Sequence, residues 1–276
     1  MLTNLASDRV RRVRRLARRS ARLETGRLLV EGRQACWEAA AAGLVEDLYW
    51  TPEAADRLPA LGDRVDGAGG YIHLASPAYV DAISADAQGV VAVADNPWAA
   101  RDLAAALAAL ASGAPGAPLV AVFEQLQDPG NAGAAIRSAD AAGVDLVVLA
   151  DGSADPTAPK VVRASAGSYF HLPVVTAGPV ADLVAPLRGR GLRLFAADGA
   201  RGRLLGGPDL PLGGTELAAG AAWLFGNEAR GLSRSALAAA DVTARIPIYG
   251  RAESLNVAMA ATLCLYAAAA ARRPPA

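Results

Sequence analysis

Three stretches hold the polar side chains best suited to chemistry. The first, at 128–140, presents Asn131 and Arg137 within Asp-Pro-Gly-Asn-Ala-Gly-Ala-Ala-Ile-Arg-Ser-Ala-Asp. The second is the glycine-bracketed turn 226–231, with Gly226, Asn227, Glu228 and Gly231. The third, at 246–257, brings Glu253, Ser254 and Asn256 to the head of an Ala-rich run. Each stretch follows an apolar segment that reads as a strand, and each opens a helix. Ligand sites of α/β sheets form at such strand ends. Taken singly, these residues have plain structural roles. Asn131 reads as the N-cap of a helix over 132–142, and Ser254 as the N-cap of another over 254–272. Asn256 reads as a first-turn polar residue, and Glu228 as a partner for Arg230. Arg137 is less easily placed, because a cation early in a helix lies away from the end that favours it and calls for an anion nearby.

The common phosphate signatures are missing. No G-x-G-x-x-G joins a strand to a helix, and no G-x-x-x-x-G-K-[ST] occurs. A Rossmann dehydrogenase, a nucleoside triphosphatase and the common Rossmann-type methyltransferase are all disfavoured. His73 and His171 stand apart from other metal-ligand types, so no metal is expected.

The elements that position these loops follow from hydrophobic periodicity. Strands are predicted at 119–124, 144–150, 172–176, 191–196, 221–225 and 242–247. Helices are predicted at 132–142, 158–168, 180–188, 233–240 and 254–272, while 199–220 gives no assignable pattern. This alternation implies a mostly parallel sheet covered on both faces. A smaller α/β unit precedes it. There, strands are expected near 28–30, 45–50, 71–74 and 89–94, helices at 8–24 and 31–43, a loop with at most a short helix at 51–70, and a turn or two of helix from 77 to 83. A helix at 98–111 and the Pro/Gly stretch 112–118 separate the two. The expected organisation is therefore 1–94, a linker at 95–117, and 118–276.

At 276 residues, 53% hydrophobic and 20% charged, the chain is globular. Its formal charge is zero but unevenly spread. Arg9, Arg11, Arg12, Arg14, Arg15, Arg18, Arg19, Arg22, Arg27 and Arg33 face only Asp8, Glu24 and Glu31 within the first 33 residues. So dense a cationic cluster repels itself unless an anion is near, and nucleic-acid phosphate is the abundant one. Cys36 and Cys264 lie far apart in apolar segments and read as reduced core thiols of a cytoplasmic protein. No signal peptide is visible. The apolar run 257–271 falls short of a membrane span and reads as a buried helix.

The three loops, in this order and spacing, resemble the three motifs of the SpoU (TrmH-like) family of RNA 2′-O-ribose methyltransferases, of the SPOUT superfamily. The stretch 155–173, which includes Lys160, Arg163 and Gly167, is similar to that family's middle region. The likeness covers 118–272. It departs from the usual pattern at Tyr249, Ala258 and Met259, which leave the polar set intact. More weakly, 11–42 resembles the small L30e/L7Ae-like RNA-binding domain that many of these enzymes carry. The resemblance implies a parallel α/β fold whose C-terminal segment is threaded into a deep trefoil knot. It implies S-adenosyl-L-methionine held mostly by main chain around Gly226, Ile246 and Leu255. It places Asn131, Arg137, Glu228, Ser254 and Asn256 in the catalytic pocket, with Arg137 as base or as phosphate clamp. Arg11, Arg15, Arg18, Arg19, Arg22 and Arg163 become the expected RNA contacts. The expected substrate is ribosomal RNA, 23S first, and the expected assembly is a homodimer through the knot domain. The alternatives are 2′-O-methylation of transfer RNA, or an RNA-binding protein that uses the same fold without turnover.

Overall fold

The computed structural model describes residues 1–99, 101–110, 117–212, 214–227 and 229–272. In chain order the elements are α1 (Asp8–Arg15), α2 (Arg19–Thr25), β1 (Arg27–Glu31), α3 (Arg33–Ala41), β2 (Val45–Trp50), α4 (Pro52–Arg57), α5 (Pro59–Gly67), β3 (Tyr71–Leu74), α6 (Pro77–Ile83) and β4 (Val90–Asp95). There follow α7 (Leu103–Ala109), β5 (Leu119–Phe123), α8 (Pro129–Ala141), β6 (Leu146–Leu149), α9 (Pro159–Ala164), β7 (Val174–Thr176), α10 (Val180–Arg188) and β8 (Arg193–Ala197). The chain finishes with β9 (Arg203–Leu204), α11 (Thr215–Ala218), β10 (Ala221–Phe225), α12 (Arg234–Ala239), β11 (Val242–Arg245) and α13 (Val257–Arg272). Two compact units result. One comprises Met1–Ala100 with Thr157–His171, the other Arg101–Pro156 with Leu172–Ala276.

The first unit is built on a mixed four-stranded sheet of order β1-β4-β2-β3, with only the β2/β3 pair parallel. Val10, Val13 and Leu16 pack with Leu29, Tyr49, Tyr79 and Val91 in one buried cluster. The single helix expected at 8–24 is two, broken at 16–18. No Gly or Pro marks that break. Leu16 is buried, and the buried Arg22 takes up the carbonyls freed there, donating through Nη1 to Leu16 O at 2.7 Å and Ala17 O at 2.8 Å. Satisfying such orphan carbonyls is what a helix C-terminus requires. The expected loop at 51–70 is instead α4 and α5. Pro52 and Pro59 each begin a helix, where the missing proline N–H costs nothing.

The stretch 157–171 leaves the larger sheet's sequence and packs in the first unit. Arg22 Nε donates to Thr157 Oγ1 at 2.9 Å. Arg163 pairs with both Glu31 and Asp86. Trp98 Nε1 donates to Tyr169 O at 2.7 Å, and Tyr169 Oη to Asn96 Oδ1 at 2.9 Å. Compactness thus divides the chain differently from the linear reading, in which this stretch follows the linker.

The second unit is a fully parallel seven-stranded sheet of order β7-β6-β5-β10-β8-β11-β9. One face, with Val120, Val122, Val148, Leu194 and Leu224, packs under α7, α10 and α12. Alternation sends the next residues to the other face. There Phe123 stacks on Phe225 at 5.1 Å, and Phe195 on Trp223 at 4.9 Å. These rings lie on the side of α8 and α13, and each buried one contributes about 1.5–3 kcal/mol. The buried residues of α13 are mostly small, Ala258, Ala261, Ala267 and Ala268 among them, so the helix can seat closely. Contrary to expectation α13 is not buried all round: Met259, Leu263 and Tyr266 are about half exposed. The unassigned stretch 199–220 contains β9 and α11, tied by Glu216 to Arg193 at 2.9 Å and to Arg203 at 2.7 Å.

The helix expected over 98–111 is α7 alone, because Asp102 caps it by accepting from Ala105 N at 2.7 Å. Its last residue, and most of the expected 112–118 linker, lie outside the described residues. Among those described, no helix is long and apolar enough to cross a membrane.

Candidate functional site

The carboxyl ends of β8, β10 and β11 open onto one cleft of the second unit, with a volume of about 150 Å³. Gly226, Ile246, Ser254 and Leu255 all line it. Its polar wall adds Asp198, Asn227 and Glu253, and its apolar wall Phe225, Ile248 and Val257. A pocket that is mostly apolar with a few convergent polar groups suits a small organic ligand.

Gly226 has no room for a side chain. A Cβ there would lie 2.2 Å from Gly231 C and Leu232 N. The loop doubles back on itself: Asn227 N donates to Gly231 O at 3.1 Å, and Gly231 N to Asn227 O at 2.8 Å. The glycine is therefore required by the loop's own return. Asn227 holds the turn in place. Its Nδ2 donates to Gln125 O at 3.0 Å, while its Oδ1 accepts from Ala229 N at 2.9 Å and Arg230 N at 3.3 Å. Glu124 steadies the same loop from β5 by accepting from Ser233 N at 2.8 Å. Glu228 lies outside the described residues.

Asn131 is not the N-cap of its helix. Asp128 is: its carboxylate accepts from Asn131 N at 2.8 Å, and Pro129 takes the first helical position. Asn131 is thereby left with a side chain turned to other use. Its Oδ1 accepts from Asn256 Nδ2 at 2.9 Å. Ser254 is likewise not a cap. α13 begins at Val257, and Asn256 Oδ1 accepts from Ala258 N at 2.9 Å. Ser254 and Leu255 belong to the exposed loop before it. A second hydrogen bond, Thr262 Oγ1 to Ser138 Oγ at 2.7 Å, holds α8 against α13.

Arg137 is exposed on α8 and has no side-chain partner among the described residues. It does not line the cleft. Six residues past Asn131, it sits roughly 9 Å along the helix axis and on a different face. The cleft thus brings together Gly226, Ile246, Ser254 and Leu255, while Asn131 and Asn256, bonded to each other, and Arg137 do not line it. Among the described residues no cluster of metal-ligating side chains occurs.

The other expected arginines lie in the first unit. Arg11, Arg15, Arg18 and Arg19 are exposed there. Arg22 is 5% exposed and committed to the carbonyls at the α1/α2 break. Arg163 is committed to Glu31 and Asp86.

Sequence reasoning missed Asp198 and Gly199 in the cleft and gave Glu253 no role. The signal for Asp198 was present: a carboxylate and a glycine end the apolar run of β8. Asp198 Oδ1 accepts from Ala200 N at 2.8 Å and Arg201 N at 3.2 Å, which turns the chain away from the sheet.

A parallel sheet with a ligand cleft across three strand ends, a glycine-bracketed return loop and no nucleotide fingerprint defines a small-ligand-binding α/β domain outside the Rossmann group. The match to known proteins gives the family. Residues 118–266, more than half of the chain, match the SpoU rRNA Methylase family. The chain is 31% identical over 261 residues to the 23S rRNA (guanosine(2553)-2′-O)-methyltransferase RlmP of Bacillus subtilis, covering 94% of this chain and 95% of that one. Among solved structures, the AdoMet-bound rRNA methyltransferase of Sinorhizobium meliloti superposes with a TM-score of 0.77 at 27% identity, covering 97% and 96%. The SpoU methyltransferase AviRb of Streptomyces viridochromogenes, in complex with AdoMet, gives 0.76 at 29% identity, covering 96% and 98%. The chain belongs to the SpoU rRNA methylase family.

Proposed function

We propose that this protein transfers a methyl group from S-adenosylmethionine to a ribose 2′-oxygen of ribosomal RNA, with 23S RNA as the first candidate. What supports the reading is the cleft: two of the family's three motif loops, 226–231 and 246–257, line it at the ends of three adjacent parallel strands, and the first is tied to the third by the hydrogen bond between Asn131 and Asn256. The residues fit the cofactor. Ile246, Ile248, Leu255 and Val257 offer an apolar wall for a nucleobase, and Asp198 and Glu253 bring negative charge suited to a cation. When bound, S-adenosylmethionine supplies an electrophilic methyl on a sulfonium. Gly226, Ile246 and Leu255 would hold it, mainly through their peptide groups.

The chain's task is then to position a hydroxyl and ease the loss of its proton. A guanidinium stays protonated at any ordinary pH, so Arg137 serves as a planar clamp on the target phosphate and polarises the 2′-OH. Asn131 and Asn256, already joined, orient the ribose together with Ser254 and Glu228. Arg137 stands outside the cleft of its own chain, which is consistent with a homodimer in which it works at the partner's site. The half-exposed Met259, Leu263 and Tyr266 recur at i, i+4 and i+7 and form one apolar stripe along α13. A second copy of this chain, pairing through that stripe, accounts for it. The first unit, carrying Arg11, Arg15, Arg18 and Arg19, binds the RNA through phosphates and shape, in the manner of an L30e-like domain. The sheet order, with β11 inserted between β8 and β9, is consistent with the knotted threading of the family.

Complementation tests the shared site. Arg137→Ala and Asn256→Ala are each expected to be nearly inactive. Mixed and allowed to exchange subunits, they should recover about a quarter of wild-type activity through dimers with one intact site. No recovery from a verified mixed dimer would return Arg137 to the site of its own chain.

A further inference from the structure

A second cavity, of about 520 Å³, lies wholly within the first unit. Its rim is cationic: Arg11, Arg14, Arg15 and Arg18 all border it. Two of these are lightly held. Arg11 pairs with Asp8, and Arg15 with Glu24 at 3.3 Å. Both acids are largely exposed, where such pairs contribute little. Arg14 and Arg18 make no side-chain hydrogen bond or ion pair among the described residues.

The floor tells what fits. Leu29 and Ile83 are buried apolar surface. Between them lies Glu31, whose carboxylate would ordinarily repel an anion. Here its oxygens are already engaged: Oε1 accepts from Ser84 Oγ at 2.6 Å, and Oε2 pairs with Arg163, which it shares with Asp86. Ser84 Oγ in turn accepts from Asp86 N at 3.2 Å. The negative end of α1 is also quenched, since Arg22 occupies the carbonyls of Leu16 and Ala17. What remains is a net positive mouth over an apolar floor whose polar groups are already paired.

We propose that this cavity takes an unpaired RNA nucleotide turned out of its strand. The flanking phosphates lie on Arg14 and Arg18, and the base lies against the guanidinium planes, over the floor that Leu29 and Ile83 close. The proposal rests on the reading of RNA as substrate and adds which feature of the RNA the first unit selects. A duplex keeps its bases stacked inside and offers only backbone, which any exposed arginine attracts equally. A splayed base has apolar faces, and Arg planes stack on them. Because Glu31 and Ser84 are committed to each other and to their neighbours, the cavity recognises an extruded base without strong preference among the four.

The test is fluorescence anisotropy of the full-length protein, at one fixed salt concentration. Two RNAs of the same base composition are compared, a hairpin with an unpaired loop and a blunt duplex. A 2-aminopurine in the loop reports unstacking. Arg14→Ala/Arg18→Ala is expected to weaken hairpin binding roughly tenfold or more and duplex binding by less than about threefold. The loop fluorescence should rise on binding to the wild type and stay low with the variant. Arg57→Ala, an exposed arginine paired with Glu53, should change neither. Equal losses for both RNAs would reduce the site to unspecific charge and overturn the proposal. So would unchanged hairpin binding. A wild type that binds neither RNA would defeat the RNA reading itself; wild-type binding with an indifferent variant would defeat only the cavity.

Discussion

Asn256 Nδ2 donates to Asn131 Oδ1 at 2.9 Å, joining two motif loops 125 residues apart in the chain. The bond exists because each amide is released from a duty expected of its neighbourhood. Asp128 caps α8 in place of Asn131, and Asn256 keeps its Oδ1 for the first turn of α13 while its Nδ2 reaches across. A double-mutant cycle checks the coupling. Asn131→Ala and Asn256→Ala should each lower kcat/KM by at least about tenfold, with an interaction energy of about 1 kcal/mol in stability. Additive losses would mean that the two amides act independently.

The return loop gives a second expectation. Gly226→Ala forces a Cβ into the backbone of Gly231 and Leu232. It should cost ~1–3 kcal/mol and abolish measurable S-adenosylmethionine binding by calorimetry. Gly231→Ala meets open space and carries only the strain of φ +67°, about 1 kcal/mol, with cofactor binding retained. Equal behaviour of the two variants would contradict this account of the loop.

The larger sheet's far edge depends on a charge cluster. Burial raises the Glu216 carboxyl, but the hydrogen bond from Arg203 and the charges of Arg193 and Arg203 outweigh that and hold it below the ordinary range. A carboxylate with a depressed folded-state pKa stabilises the protein above its unfolded pKa, and that contribution fades as pH falls through the folded value. Wild type and Glu216→Gln should therefore differ in Tm at neutral pH and converge below about pH 4. A gap that persists unchanged into acid would assign the effect to packing.

The C-terminal helix is anchored at its last turn. The Arg272 side chain is 2% exposed and reaches Asp145 at 3.1 Å, whose Oδ2 also accepts from Leu119 N at 2.7 Å. Arg272→Ala is expected to cost about 3 kcal/mol in urea unfolding, since it strands a partly buried carboxylate. A loss below about 0.5 kcal/mol would show the pair to be dispensable.

Both thiols should be silent in the native protein. Burial pushes Cys36 up to about 12 and raises Cys264 as well. At pH 8 a disulfide reagent should label neither residue until the chain is unfolded, and then both. Fast native labelling would mean that these segments open readily.

Much of this was legible in advance, for physical reasons. The strands β5, β6 and β10 are apolar runs buried on both faces, so their positions show in composition alone, whereas the edge strand β9, Arg203–Leu204, is neither apolar nor fully buried and gives no such signal. The motif loops are bounded by Pro and Gly and show equally well. What failed to show depends on groups distant in the chain. Nothing in 8–24 marks the break between α1 and α2, because Leu16 burial and the Arg22 guanidinium set it. The packing of 157–171 in the first unit depends on Arg163 meeting Glu31, 132 residues away. The cap of α8 was readable and misread: Asp-Pro at 128–129 is the stronger start signal than Asn131.

The central claim is tested most directly by methyl transfer. Labelled S-adenosylmethionine would be offered to deproteinised 23S RNA, 16S RNA and bulk transfer RNA, with Arg137→Ala alongside. The account predicts label on 23S RNA, at a ribose whose 3′ linkage resists alkali, and its loss in the variant. Label on a base, on transfer RNA alone, or undiminished in Arg137→Ala would contradict it.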